Sequence, residues 1–225
     1  MQQRSGSPWK LVRRGCVALA LATGVTIVVF LFVGHRMARE VREQMDDPAL
    51  RLAGAREVLH AESLPEGFEA TLAITVPLLG RVVVLEGAQQ PLGDNGELGP
   101  GRLFLYLESR GSQPTDSWAE DLDRLLEVRG LELEPGPLLA NGKIETLAYR
   151  AIQARLRQRP QGEWPVLAAL VDVRCWADEG IVRFGVWIEP DPAAGWPAEE
   201  VDYTGTVADP AAIRDFMSGF RFCAG

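Results

Sequence analysis

The chain has 225 residues, 24% of them charged and 47% hydrophobic, with a formal net charge of −8. All 31 acids but only 19 of the 23 basic residues lie beyond residue 35, a balance of −12 there. That balance disfavours nucleic acid, or a direct hold on anionic lipid headgroups, as the partner of that part of the chain.

The first strong signal is residues 15–34, GCVALALATGVTIVVFLFVG, which contain neither charge nor proline. At roughly 1.5 Å per helical residue the run reaches about 30 Å, so it is expected to be a single transmembrane helix whose partner is the lipid bilayer. A cleaved signal peptide is the rival reading, with Lys10, Arg13 and Arg14 as its basic region. Against it, the apolar core exceeds the usual roughly 7–15 residues and no small-x-small site follows. Lysine and arginine tie across the run: Arg4, Lys10, Arg13 and Arg14 precede it, and Arg36, Arg39, Arg42 and Arg51 follow. The N-terminus is read as cytoplasmic and the remainder as extracytoplasmic, periplasmic in a Gram-negative cell, partly on cysteine usage. Ala20 and Gly24 form a small-xxx-small pair that would support a homodimer. The expected organisation is a basic tail (1–14), the anchor (15–34), a juxtamembrane helical stalk (35–62) and a globular domain (63–225).

In the stalk, Arg36/Glu40 and Arg39/Glu43 have i,i+4 spacing, and Met37, Val41 and Met45 form a narrow stripe. Asp47-Pro48 reads as N-cap and first position of a helix to about His60. Leu64-Pro65-Glu66-Gly67 turns into a strand in which Phe68, Ala70, Leu72, Ile74 and Val76 share one face. Pro77 ends that strand or places it at a sheet edge. Arg81–Glu86 and Arg102–Glu108 are further strands around the Gly- and Pro-rich loop 87–101. Ser117 and Glu120 form a capping box for a helix over 117–129, with Trp118, Leu122, Leu125 and Leu126 on one face and Gly130 closing it. Asn141-Gly142 predicts a hairpin turn. Residues 144–157 have a helix-forming composition, yet the turn RPQGE after them favours a strand. The apolar stretches 164–176 and 181–189 continue a meander. Asp209-Pro210 opens a last helix with Ile213, Phe216, Met217 and Phe220 on its inner face.

This order predicts an α+β fold, a mostly antiparallel sheet flanked by helices. In layout, residues 64–223 resemble the PsbP-like α/β/α sandwich. The features that carry the likeness are Pro65-Glu66-Gly67-Phe68 entering the first strand, the helix Trp118–Arg129, the meander 148–189 and the closing 213–222. The resemblance implies an assembly factor, a lipoprotein or a protein-binding module and implies no chemistry.

A catalytic constellation is not legible. There is no G-x-S-x-G, Ser63, Ser109, Ser112 and Ser117 sit beside turns or caps, and the histidines are His35 and His60 alone. No phosphate loop and no C-x-x-C occurs, so no catalytic residue, cofactor or metal ligand is assigned. Acid pairs are plentiful, among them Asp121/Asp123, Glu132/Glu134, Asp178/Glu179 and Glu199/Glu200/Asp202, as expected at this acid content. Gly93–Glu97 offers oxygens to calcium but lacks the spacing of an EF-hand loop. Cys16 lies inside the apolar run, which leaves Cys175 and Cys223 as an even pair: one disulfide in an oxidising compartment, or two unrelated thiols. Trp164, Trp176 and Trp187 fall in strands and read as core. Trp196, between Gly195 and Pro197, is the tryptophan singled out for partner contact, against a lid over the sheet edge. The leading expectation is a membrane-anchored, extracytoplasmic, non-catalytic domain that binds another envelope protein. The alternatives are a small-ligand or lipid-binding domain and an acid/base hydrolase.

Overall fold

Runs of Val, Ile, Leu and aromatic residues between Phe68 and Pro190 pair into one antiparallel sheet, because each is long enough to bury side chains on both faces. The computed structural model describes residues 46–76, 80–88, 91–92, 97–98, 101–110, 130–144, 147–158, 162–173, 180–193 and 201–223, with residues 32, 34–36, 38–39, 42–43, 126 and 175. The chain divides into two units, Met1–Glu43 and Gln44–Gly225.

In the first unit the described residues are helical and carry Arg36, Arg39, Arg42 and Glu43. Arg39 Nε donates to Glu43 Oε1 at 2.7 Å, the expected i,i+4 pair. The transmembrane expectation is not upheld: among the described residues no helix is long and apolar enough to cross a membrane. Of the expected span 15–34 only Phe32 and Gly34 are described, and the described helical residues just beyond them include Arg36, Arg39, Arg42 and Glu43. Cys16, Ala20 and Gly24 lie outside the described residues.

The second unit begins with helix α1 (Pro48–Leu59), capped by Asp47, whose side chain accepts from Ala49 N and Leu50 N. The helix ends at His60, in left-handed backbone at φ 48°. Strands follow as β1 (Phe68–Val76), β2 (Gly80–Gly87), β3 (Pro91–Leu92), β4 (Glu97–Leu98), β5 (Leu103–Arg110), β6 (Leu131–Ile144), β7 (Leu147–Gln158), β8 (Gly162–Val173) and β9 (Ile181–Pro190), then helix α2 (Pro210–Ser218). The main sheet has the order β1-β2-β5-β9-β8-β7-β6, and β3 pairs with β4 separately.

The expected α+β fold is therefore corrected to a β-dominated one. Seven mutually antiparallel strands form the body, and the two helices bounded above are short. The physical reason is cross-strand pairing. Residues 147–158, expected as a strand despite a composition rich in helix-forming Ala, Leu, Gln and Arg, pair with both β6 and β8. That pairing outweighs a helix propensity worth only tenths of a kcal/mol per residue. The predicted helix 117–129 lies outside the described residues except Leu126, which is helical and fully buried.

Both faces of the sheet are core. The front face carries Val83, Leu85, Phe104, Tyr106, Ala169, Val171 and Trp187 and is covered by α1 and α2. Phe216 of α2 stacks on Trp187 with centroids 4.2 Å apart and meets Phe68 and Phe104 edge-on. The back face carries Val84, Leu105, Ile152, Leu156, Val166, Leu170, Val186 and Ile188, with Leu126 packed among them.

Two local expectations fail for identifiable reasons. In β1 a bulge between Ala70 and Leu72 reverses the alternation. Phe68, Ala70 and Ala73 face front, while Leu72 packs with the back cluster. Asn141-Gly142 is not a turn, because these residues pair with Arg150 and Tyr149 inside the β6–β7 ladder. The chain reverses between Ile144 and Leu147 instead. A Cβ on Gly142 would lie 2.9 Å from the Tyr149 hydroxyl, so this glycine leaves room for a ring.

Candidate functional site

The front face changes character along its length. Where Tyr106, Gly185, Val171 and Tyr149 lie side by side, it is apolar and covered. At one end of this region lies an ionic row, half-buried Arg81 with buried Glu108 and Arg183, on β2, β5 and β9. Glu108 accepts from Arg183 Nε at 3.2 Å and lies 3.8 Å from Arg81 Nε. Burial, and then the nearby Glu108 carboxylate, push the Tyr106 hydroxyl well above its ordinary range. This row is satisfied internally and holds strands together.

At the other end the same face passes from core to polar surface, beginning at a row in which Glu189 and Leu167 are still buried. Glu189, Leu167 and Gln153 form one cross-strand row. Pro165, Arg155 and Glu134 form the next, joined by Asp191, whose N–H donates to the Pro165 carbonyl at 3.2 Å. The row beyond is Glu163, Arg157 and Glu132. Its ions pair: Arg157 meets Glu163 at 2.9 Å and Glu132 at 3.4 Å, and Arg155 reaches Glu163 at 3.5 Å. The hydrogen bond from Arg157 holds the Glu163 carboxyl below its usual range. A shallow cavity of about 260 Å³ lies over these side chains.

Beside it, an open groove of about 400 Å³ is lined by Glu134, the Pro135-Gly136-Pro137 kink, Gln153, Arg155 and Asp191. The kink follows from a register shift between Pro135 and Leu138. Proline cannot donate to the ladder, and a Cβ on Gly136 would lie 2.8 Å from the Gln153 carbonyl. The floor is ordered by polar contacts. Gln153 Nε2 donates to Asp191 Oδ2 at 3.2 Å and to the Tyr203 hydroxyl at 3.0 Å, and Ala193 N–H donates to Asp191 Oδ1 at 2.8 Å. Desolvation, helped by the nearby Asp191 charge, raises the Tyr203 hydroxyl above its ordinary value. Glu189, one row inward, accepts from Val207 N–H at 2.7 Å, and burial raises its carboxyl above the usual range.

The residues singled out from sequence fall differently. Cys175 and Cys223 form a disulfide with Cα atoms 5.3 Å apart, tying the loop after β8 to the segment after α2. Phe222, next to Cys223, stacks on Tyr106. Trp187 and Trp164 pack with the front and back clusters respectively. Trp196, Trp176, Asp121, Asp123, Asp178, Glu179, Glu199, Glu200 and the Gly93–Gly96 turn lie outside the described residues. Of the acid pairs, Glu132 and Glu134 share the polar face, while Asp202 caps Thr204 elsewhere. Among the described residues no group of three or more His, Cys, Asp or Glu side chains is placed to hold a metal ion. The groove residues Gln153, Arg155 and Asp191 were missed in the sequence. The polar alternation of Gln153, Arg155 and Arg157 was the signal that marks where the front face leaves the core.

No protein-family model matches the chain, and no curated protein or solved structure matches it. The PsbP-like likeness thus rests on the layout of the sequence alone.

Proposed function

We propose that the globular unit is a non-catalytic protein-interaction domain of an oxidising compartment, and that it engages its partner through the polar end of its front face. The observation that carries this reading is the exposed continuation, among the described residues, of a sheet face that is core elsewhere. Glu132, Glu134, Arg155, Arg157 and Glu163 are all exposed on it, in cross-strand register. Such a rigid polar surface with prepositioned ion pairs gives specificity without needing a large apolar patch. The oxidising compartment is argued from the Cys175–Cys223 disulfide.

The test is site-specific photocross-linking in the cells that make the protein. A photoreactive side chain at Glu132 or Pro137 is expected to give a discrete adduct with another protein. The same group at exposed Glu62 or Arg214 gives none. No discrete adduct from the polar face, or the same adduct from all four positions, would defeat the reading.

A further inference from the structure

We infer that the groove beside β6 receives an extended segment of a partner protein carrying two basic side chains four residues apart, a K/R-x-x-x-K/R pattern. The inference rests on the protein-interaction reading and adds the partner's chemistry.

Three observations lead to it. Asp191 is more than nine-tenths buried, yet among the described residues its carboxylate receives neutral donors, from Gln153 and Ala193, and forms no ion pair. A buried carboxylate ordinarily has a cation. Glu134, in the same row, also forms no ion pair among the described residues, although Arg155 is its cross-strand neighbour, because Arg155 turns to Glu163 in the next row. The groove of about 400 Å³ joins the two acids. The chain beyond residue 35 carries a balance of −12, and a net negative charge favours the approach of a basic segment.

The spacing follows from the sheet. Glu134 lies on β6 and Asp191 just past β9, with β7 and β8 between them. Three inter-strand spacings of roughly 4.8 Å separate their backbones by about 14 Å. An extended peptide crossing the strands advances about 13 Å over four residues and returns its side chains to the same side. One basic residue then reaches Asp191 while the other reaches Glu134. The residue between them passes over Arg155, where a cation is repelled.

The experiment uses the full chain and two capped Gly/Ser/Thr peptides of equal length and charge. One carries arginines four residues apart, the other carries them adjacent. At physiological ionic strength the four-spaced peptide is expected to bind about tenfold more tightly, and Glu134→Gln, an exposed isosteric change, should erase that preference. Asp191→Asn should do the same, and Glu62→Gln, which removes equal charge elsewhere, should leave the preference intact. Equal binding of the two peptides, absence of binding, or the same effect from Glu62→Gln would overturn the inference. Those results leave the interaction reading standing, since the cross-linking test needs no cationic probe.

Discussion

Glu189 shows how one side chain links the core to the polar end of the front face. It is almost wholly buried, accepts from Val207 N–H at 2.7 Å and has Arg102 Nε at 3.8 Å. Burial outweighs both contacts and raises its pKa above the unfolded value. The native state therefore keeps a proton over a pH range in which the unfolded chain has lost it, and stability falls as pH rises through that range. Glu189→Gln retains an acceptor for Val207 N–H and has no charge to desolvate. This variant is expected to be more stable than the parent at neutral pH, with the difference shrinking as pH falls into the ordinary carboxylate range. Urea midpoints between about pH 4 and pH 8 measure it, and a difference independent of pH would refute the assignment. None of this is legible in the sequence, where Glu189 is one acid among many. Only the fold places Val207 over it and water away from it.

At the scale of elements, β6 is the instructive case. Its first part alternates cleanly, Leu131 and Leu133 buried and Glu132 and Glu134 exposed. Pro135, Gly136 and Pro137 then break the register. The Asn-Gly pair downstream carries the local signature of a hairpin but sits within the ladder, because Gly142 accommodates the Tyr149 ring. Two substitutions separate the roles. Asn141→Thr is expected to change stability by less than about 0.5 kcal/mol, since Thr suits a strand and Asn141 is exposed. Gly142→Val should cost about 1–3 kcal/mol, because the added side chain drives the Tyr149 ring out of the front core. Chemical denaturation of both variants checks this. A large loss at Asn141 with none at Gly142 would restore the turn. The caps of α1 and α2, by contrast, were readable. Asp47 and Asp209 each precede a proline and accept backbone N–H bonds as the sequence implies.

For the molecule as a whole, α1 lies in the same compact unit as the sheet, Gln44–Gly225. Ala55, Val58 and Leu59 enter the front core, Arg51 donates to the Ala70 carbonyl on edge strand β1, and Arg221 N–H donates to the Leu59 carbonyl. A chain beginning at Gln44 is expected to unfold cooperatively. One beginning at Ser63 should be several kcal/mol less stable, since each of Val58 and Leu59 contributes about 1.5–3 kcal/mol by burial. Equal denaturant midpoints for the two chains would show that α1 is dispensable.

Features that depend on near neighbours along the chain are readable from the order of residues alone. Helix starts follow from Asp-Pro pairs, strands from runs of Val, Ile and Leu, and the inner face of α2 from Ile213, Phe216 and Met217 at helical spacing. The sequence also offered Cys175 and Cys223 as a pair, although only folding brings positions 48 apart in sequence to 5.3 Å. Tertiary structure decided the rest. Whether residues 147–158 form helix or strand depends on β6 and β8 lying on either side. Which face Leu72 takes depends on a bulge that its own alternation does not announce. The groove exists because β6, β7, β8 and the segment after β9 bring Glu134, Arg155, Pro165 and Asp191 into one row. Hydrogen-bond register between distant strands sets that row, and no periodicity within a single strand encodes it.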